Sequence, residues 1–367
     1  MFSRRIPHDL SPNTYAAAKA KAAIAHDLTI SNPTAAEIEY PRDLLAALAS
    51  PAGLAYRPDP KGLRKAREAV GALYGADPDR IVLTASSSEA YGFLFKLLCD
   101  PGDAVYVPSP SYPLFEHLAA LDGVAALPYP LDGSHRWQPV PQDPSRAKAA
   151  IVVHPNNPTG SFVDRETADT LAPGLPLIVD EVFLDYAWGS SPTSFATRDQ
   201  GLTFTLGGLS KSCGLPQLKL SWIVASGPEQ RREAALEKLE FVGDNYLSVA
   251  TPVQEALPEI LRRAAPVREA IRARCLANLA AARALLPPGG AVELLPPEGG
   301  WTAVVRFPRV VAEEALVLEL LSQGVAVHPG YFFDFPADGY LVVSLLPPPS
   351  SFAAGLRTVI GTIEAAV

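Results

Sequence analysis

Residues 149–160 read AAIVVHPNNPTG, residues 177–183 read LIVDEVF and residues 202–214 read LTFTLGGLSKSCG. Each opens on a short run of apolar and branched residues, the composition of a strand buried on both faces. Each closes on a turn of small and polar residues. Outward from them the same signal recurs at RIVLT (80–84), AVYV (104–107) and LSWIVA (220–225). Helical patterns lie between, at Gly62–Tyr74, Glu89–Leu98 and Arg165–Leu171. Strands alternating with helices predict an α/β fold with a mostly parallel central sheet and helices on both of its faces.

Beyond about Gly227 the pattern changes. Helical stretches (EQRREAALEKLEFV, then VREAIRARCLANLAAARALL) lead into the strand-like runs AVELL, WTAVVRF, GVAVH and YLVVSLL, with a helix at Ala312–Leu321 among them. This predicts a second, smaller α+β domain. The expected division is a large domain over 41–265 and a small domain made of 1–40 and 266–367, because the first forty residues carry no strand pattern of their own.

The chain has 367 residues, of which 48% are hydrophobic and 19% charged, enough to bury a substantial core. Its 31 basic and 39 acidic side chains leave a net charge of −8, which argues against a nucleic-acid partner. Three cysteines (Cys99, Cys213, Cys275) are too few and too scattered for a disulfide framework or a cysteine zinc site. No apolar run approaches the ~20 residues of a membrane span. The opening MFSRRIPHDLSPNT lacks the apolar stretch of a secretory signal, so a cytoplasmic protein without membrane partners is expected.

In open α/β sheets ligands bind where loops leave the carboxyl ends of strands. After RIVLT come Ser86, Ser87 and Ser88 at the start of a helix, either a plain N-cap or an anion cradle built from backbone N–H groups and hydroxyls. After AAIVV, the asparagines of HPNNPTG either cap the turn or point an amide into a cleft. After LIV, Asp180 and Glu181 place carboxylates at the end of an apolar strand, each needing a cap partner or a cation. After LTFTL, Lys211 in a turn of small residues is solvated, grips phosphate or serves as a Schiff-base amine. His154 and His328 read as turn or core histidines, since no second ligand sits at a metal-binding spacing; no metal is expected. Trp222, Phe93 and Phe95 read as core.

Taken together, an anion cradle, an asparagine, an acid and a lysine at successive strand ends resemble the fold-type-I pyridoxal-phosphate enzymes, specifically the class I/II aminotransferases. HPNNPTG, VDEVF and GLSKSCGLPQLKL carry the resemblance, which runs from about Asp27 to the C-terminal helix. It implies that Lys211 holds the cofactor through a Schiff base and shuttles the Cα proton, and that Asp180 pairs with the pyridine N–H. It also implies that Asn157 donates to the phenolic oxygen. Ser86, Ser87 and Ser88 match the phosphate cup, closed by Ser210 and Lys219, and Tyr112 matches the aromatic that stacks on the ring. Tyr56 matches a tyrosine reaching the phosphate of a neighbouring subunit, with Ser248 as a companion, which implies a homodimer with shared active sites. The implied reaction moves an amino group from a small-molecule amino donor to a keto-acid acceptor; a fold-type-I decarboxylase or lyase is the alternative.

Four departures from the family pattern stand out: Phe183 in place of a tyrosine, Lys219 in place of an arginine, Gly208 in place of a serine, and Val342 where an arginine clamps the substrate carboxylate. Arg306 and Arg57 are the candidate replacements for that clamp. Asp244 lies near where dicarboxylate-specific relatives carry an arginine, so aspartate and glutamate are poor candidate donors. A dinucleotide dehydrogenase is disfavoured because no G-x-G-x-x-G follows a strand. A regulator built on this body would need an N-terminal DNA-binding helical domain, for which a match starting near residue 27 leaves no room.

Overall fold

A computed structural model describes residues 2–189 and 192–366. Its eight-stranded sheet runs, in spatial order, Ile81–Thr84, Ser221–Ser226, Thr203–Gly208, Leu177–Asp180, Ala149–Val153, Ala104–Ser109, Ala125–Asp132 and Gln138–Pro139. The five strands from Thr203–Gly208 to Ala125–Asp132 pair in parallel, and Ser221–Ser226 runs antiparallel to both its neighbours. The strands Ile81–Thr84, Ala149–Val153, Leu177–Asp180, Thr203–Gly208 and Ser221–Ser226 are buried at every residue. That is why they read as unbroken apolar runs rather than alternating ones.

Helices cover both faces. Helices Ser87–Leu98, Phe115–Leu121 and Glu229–Asp244 bury Phe93, Leu94, Phe115, Leu236 and Leu239 against Val82, Val105, Ile151, Ile178 and Phe204 of one face. On the other face Ala168 and Leu171 of helix Arg165–Leu171 join Tyr106, Val152 and Val179. The strand Ala125–Asp132 has no counterpart in the sequence reading, because Pro128 and Pro130 break the apolar pattern. It sits near the sheet edge and pairs on its outer side only through Leu131 and Asp132, so prolines without an N–H are tolerated there. Helix Thr251–Arg263, with Pro258 inside it, was likewise not separated from its neighbours by pattern alone.

A second, four-stranded antiparallel sheet has the order Glu293–Leu295, Thr302–Arg306, Tyr340–Ser344, His328–Pro329. Helices Ala265–Leu285, Glu313–Ser322 and Pro349–Ala366 bury one of its faces, where Ile271, Cys275, Leu316 and Phe352 meet Ala303, Val305, Leu341 and Val343. The N-terminal segment joins this part of the molecule. His26 and Asp27 pair in parallel with Val325 and Ala326, and Ser344 N donates to Leu28 O at 2.7 Å.

Gly208 has a local explanation. It lies opposite Ser221 across the ladder, and a Cβ built on it would sit 2.2 Å from Ser221 Oγ. The hydroxyl of Ser221 therefore occupies the space that a side chain at 208 would need. Gly208→Ala is expected to destabilise the fold by about 1–3 kcal/mol in equilibrium denaturation, and adding Ser221→Gly should recover most of that loss. Equal stability of Gly208→Ala and the native chain would show that the strands part there without strain.

Candidate active site

Five loops at the same end of the large sheet carry the site. They follow Ile81–Thr84, Ala104–Ser109, Ala149–Val153, Leu177–Asp180 and Thr203–Gly208, which all point the same way. They place Ser86–Ser88, Tyr112, Asn157, Asp180 and Lys211 at the carboxyl end of the sheet, where ligands bind in open α/β folds.

Asp180 ends its strand almost fully buried, at 7% exposure. Tyr91 Oη donates to its Oδ2 at 2.8 Å and Val182 N to its Oδ1 at 3.1 Å. Burial pushes this carboxyl above the usual aspartate value, opposed by those two donors and by the charge of Lys211. Lys211 lies in the short helical turn Leu209–Ser212, with its Nζ 5.3 Å from the ring centre of Trp301 and 5.6 Å from that of Phe183. Burial lowers the lysine below its ordinary value, against the attraction of Asp180. A buried lysine so displaced holds a larger share of free amine, the form that attacks a carbonyl. Tyr186 Oη fixes the turn by donating to Lys211 O at 2.9 Å.

The two asparagines of HPNNPTG divide the work that the sequence left open between them. Asn156 is structural: its Nδ2 donates to Pro110 O and Thr159 Oγ1, and its Oδ1 accepts from Ser111 Oγ. Asn157 makes no side-chain hydrogen bond among the described residues, and its Oδ1 is buried without a partner.

Ser86 caps helix Ser87–Leu98 by accepting from Glu89 N at 3.1 Å, while Glu89 reaches back to Ala85 N at 2.6 Å. This is a capping-box exchange, and it leaves the hydroxyls of Ser87 and Ser88 without protein partners among the described residues. Ser248 donates to Glu89 Oε2 at 2.7 Å, so within its own chain it braces the cap. Tyr112 packs edge-on to Phe115 at 5.6 Å. Ser210 is half-buried beside Lys211. Lys219 is exposed, has left-handed backbone (φ +49°) and makes no ion pair among the described residues. Tyr56 stands 76% exposed, in one groove with Arg57 and Ser248.

At the position where the family pattern has arginine, Val342 is buried with Val304, Phe333 and Phe335. Arg306 is paired with Glu293. His154 is a core residue: its Nδ1 accepts from Val163 N at 3.1 Å, its ring lies against Phe162 and Phe195, and burial lowers it to about 3. His328 packs on Phe332 and Phe333. Trp222, Phe93 and Phe95 are core, as expected.

Two participants escaped the sequence reading. Tyr91 is four residues after Ser87 on the same helix face, and that spacing could have revealed it. Trp301 follows two glycines ahead of a strand, and nothing in the pattern marks it. Glu181 accepts from Ser194 Oγ and Phe195 N, both at 2.6 Å, on the sheet face away from Asp180.

A sequence profile of the class I and II aminotransferases matches residues 23–347. The chain belongs to this family. It is 29% identical to the alanine aminotransferase of Mycobacterium tuberculosis over 90% of this chain and 83% of that one. It is 26% identical to the glutamate-pyruvate aminotransferase AlaA of Escherichia coli, over 87% and 85%. The alanine aminotransferase of Pyrococcus furiosus shares the fold, with a TM-score of 0.79 at 24% identity over 94% of this chain and 93% of that structure. The protein is a pyridoxal-phosphate-dependent aminotransferase, and the decarboxylase or lyase alternative is not favoured. The residues present fit that cofactor. Among the described residues a buried acid makes no ion pair, a half-buried lysine follows the adjacent strand, an asparagine amide is unengaged, and two hydroxyls have no protein partner at a helix start.

Burial raises Glu181 to about 7. It therefore binds its proton more tightly in the folded chain than in the unfolded one. The stability it contributes is complete below its ordinary value of 4.5 and is lost as pH rises through about 7. Relative to Glu181→Gln, the native enzyme is expected to lose up to about 3 kcal/mol of stability between about pH 4.5 and 8. Denaturation curves for the two proteins that keep a constant separation over that range would contradict this.

Proposed function

We propose that Lys211 binds the cofactor covalently and moves the substrate's Cα proton on its Nζ. The observation that carries this is the buried Lys211 amine set opposite the buried Asp180 carboxylate at adjacent strand ends. When bound, pyridoxal phosphate supplies an electron sink for the carbanion left at Cα. Asp180, held by Tyr91 and Val182, keeps the pyridine nitrogen protonated and regains the cation that its burial requires. Asn157 donates to the phenolic oxygen, and Tyr112 lies on the ring. Ser86, Ser87 and Ser88 receive the phosphate at the start of their helix, with Ser210 and Lys219 closing the cup. Trp301 and Phe183 wall the lysine from water.

The working unit in this reading is a homodimer, with Tyr56 of each protomer reaching the other's phosphate. Exposed Leu54, Tyr56, Phe241 and Tyr246 support it, being large apolar side chains left uncovered in a single chain. The two sheets support a large unit over 41–265 and a small one made of 1–40 and 266–367. We place the enzyme in the cytoplasm, in keeping with a chain in which no described helix is long and apolar enough to cross a membrane. The relatives named for alanine and for glutamate–pyruvate exchange make L-alanine the first donor to test and pyruvate the first acceptor.

Lys211→Ala is expected to fold but to yield no borohydride-fixed cofactor adduct. The native protein should give one adduct, on the peptide containing Lys211, and an adduct mapped to any other lysine would overturn the assignment. In light scattering the native protein is expected at twice the chain mass, and Tyr56→Phe should weaken cofactor retention while leaving that mass unchanged. A fully active monomer would end the shared-site reading.

A further inference from the structure

We infer that Trp301 is a substrate-binding residue whose indole Nε1–H donates to the carboxylate of the amino donor and of the keto acid. This rests on the assignment of Lys211 above.

Trp301 is 2% exposed, and hydrogen bonds of its own carbonyl and of its two chain neighbours fix its position. Leu345 N donates to Trp301 O at 2.7 Å, Gly300 N to Tyr186 O at 3.0 Å, and Thr302 Oγ1 to Pro158 O at 2.9 Å, in the same turn as Asn157. Its ring centre lies 5.3 Å from Phe183, 5.1 Å from Tyr186 and 5.3 Å from Lys211 Nζ. Yet its Nε1 is buried without an acceptor. An indole nitrogen is a donor only, and buried donors are rarely left unpaired in folded proteins. The core tryptophan Trp222 shows the ordinary solution, giving its Nε1–H to Tyr74 Oη at 3.1 Å. Trp188, also unpartnered, packs on the Arg272 guanidinium and offers that cation its ring face.

The missing acceptor has an obvious source in the reaction. A substrate amine that reacts beside Lys211 carries its carboxylate one carbon away, against the Trp301 ring. Val342 is shut in with Val304, Phe333 and Phe335, Arg306 is paired with Glu293, and Phe183 offers no hydroxyl. The Trp301 indole is a neutral donor on this wall that no protein acceptor among the described residues satisfies.

The test uses holoenzyme and three probes: propionate (the carbon skeleton of alanine without its amine), L-alanine, and ethylamine, which has no carboxylate. Trp301→Phe keeps an aromatic ring and removes the N–H. By calorimetry, propionate should bind the variant about tenfold or more weakly, the size of a lost hydrogen bond to a charged group. The KM for L-alanine should rise by a similar factor with kcat unchanged, and the reaction with ethylamine should not change. Equal propionate affinity in the two proteins overturns the proposal, as does an equal loss with ethylamine, which would assign Trp301 to packing. Should Trp301→Phe fail to fold, the four indole N–H resonances of the native holoenzyme decide the matter. One must shift on adding propionate, and none shifting overturns the proposal. The borohydride adduct is the separate control: its absence from Lys211 defeats the underlying assignment, while its presence leaves the Trp301 tests to stand alone.

Discussion

A carboxylate at the end of a strand that is buried along its whole length is the constraint on which the active site turns. Asp180 has water on neither face of the sheet, so its charge has to be met by the protein or by what the protein binds. Tyr91 and Val182 meet part of it with hydrogen bonds, and Lys211 contributes attraction, but burial still dominates. In the reading proposed above, the cofactor supplies the cation that offsets this burial. The same burial lowers Lys211, so one environment disfavours the charge on both groups; in the proposed roles this frees the amine and favours a cation beside the acid.

The sheet topology makes that environment possible. Five parallel strands put their carboxyl ends side by side, and the antiparallel Ser221–Ser226 lets the chain turn back directly after Lys211. The lysine is thereby held in a short, tightly bonded turn. The second sheet closes the other side through Trp301, Gly300 and Thr302, which bind Leu345, Tyr186 and Pro158. Thr302 Oγ1 to Pro158 O ties the second sheet to the asparagine turn, and Gly300 N to Tyr186 O, continued by Tyr186 Oη to Lys211 O, ties it to the lysine turn.

Much of this was legible in the sequence because buried parallel strands announce themselves as unbroken apolar runs and their functional residues come immediately after. Asp180, Lys211, the asparagine pair and the serine cluster were read as candidates in that way, and the family resemblance alone singled out Asn157. What stayed hidden follows the same logic. Ala125–Asp132 carries prolines, tolerated because its outer side pairs only through Leu131 and Asp132, so its pattern argued against a strand. Tyr91 and Trp301 act from the middle of a helix and the head of a strand in the other sheet, and they meet the site only through packing across the fold. The distinction between Asn156 and Asn157 is a matter of which amide finds partners, and neighbouring identical residues give no sign of it. The departure at Val342 was visible, but the sequence could not say whether a gap or a packed face lay behind it.

It is a packed face. Val342 is enclosed by Val304, Phe333 and Phe335, so an arginine placed there alone would strand an unpaired guanidinium among apolar side chains. Admitting a charge at this position would require several of those neighbours to change together, since any single change leaves either a cavity or an unpaired ion. The packing behind Val342 thus couples the charge of that position to the stability of the second sheet.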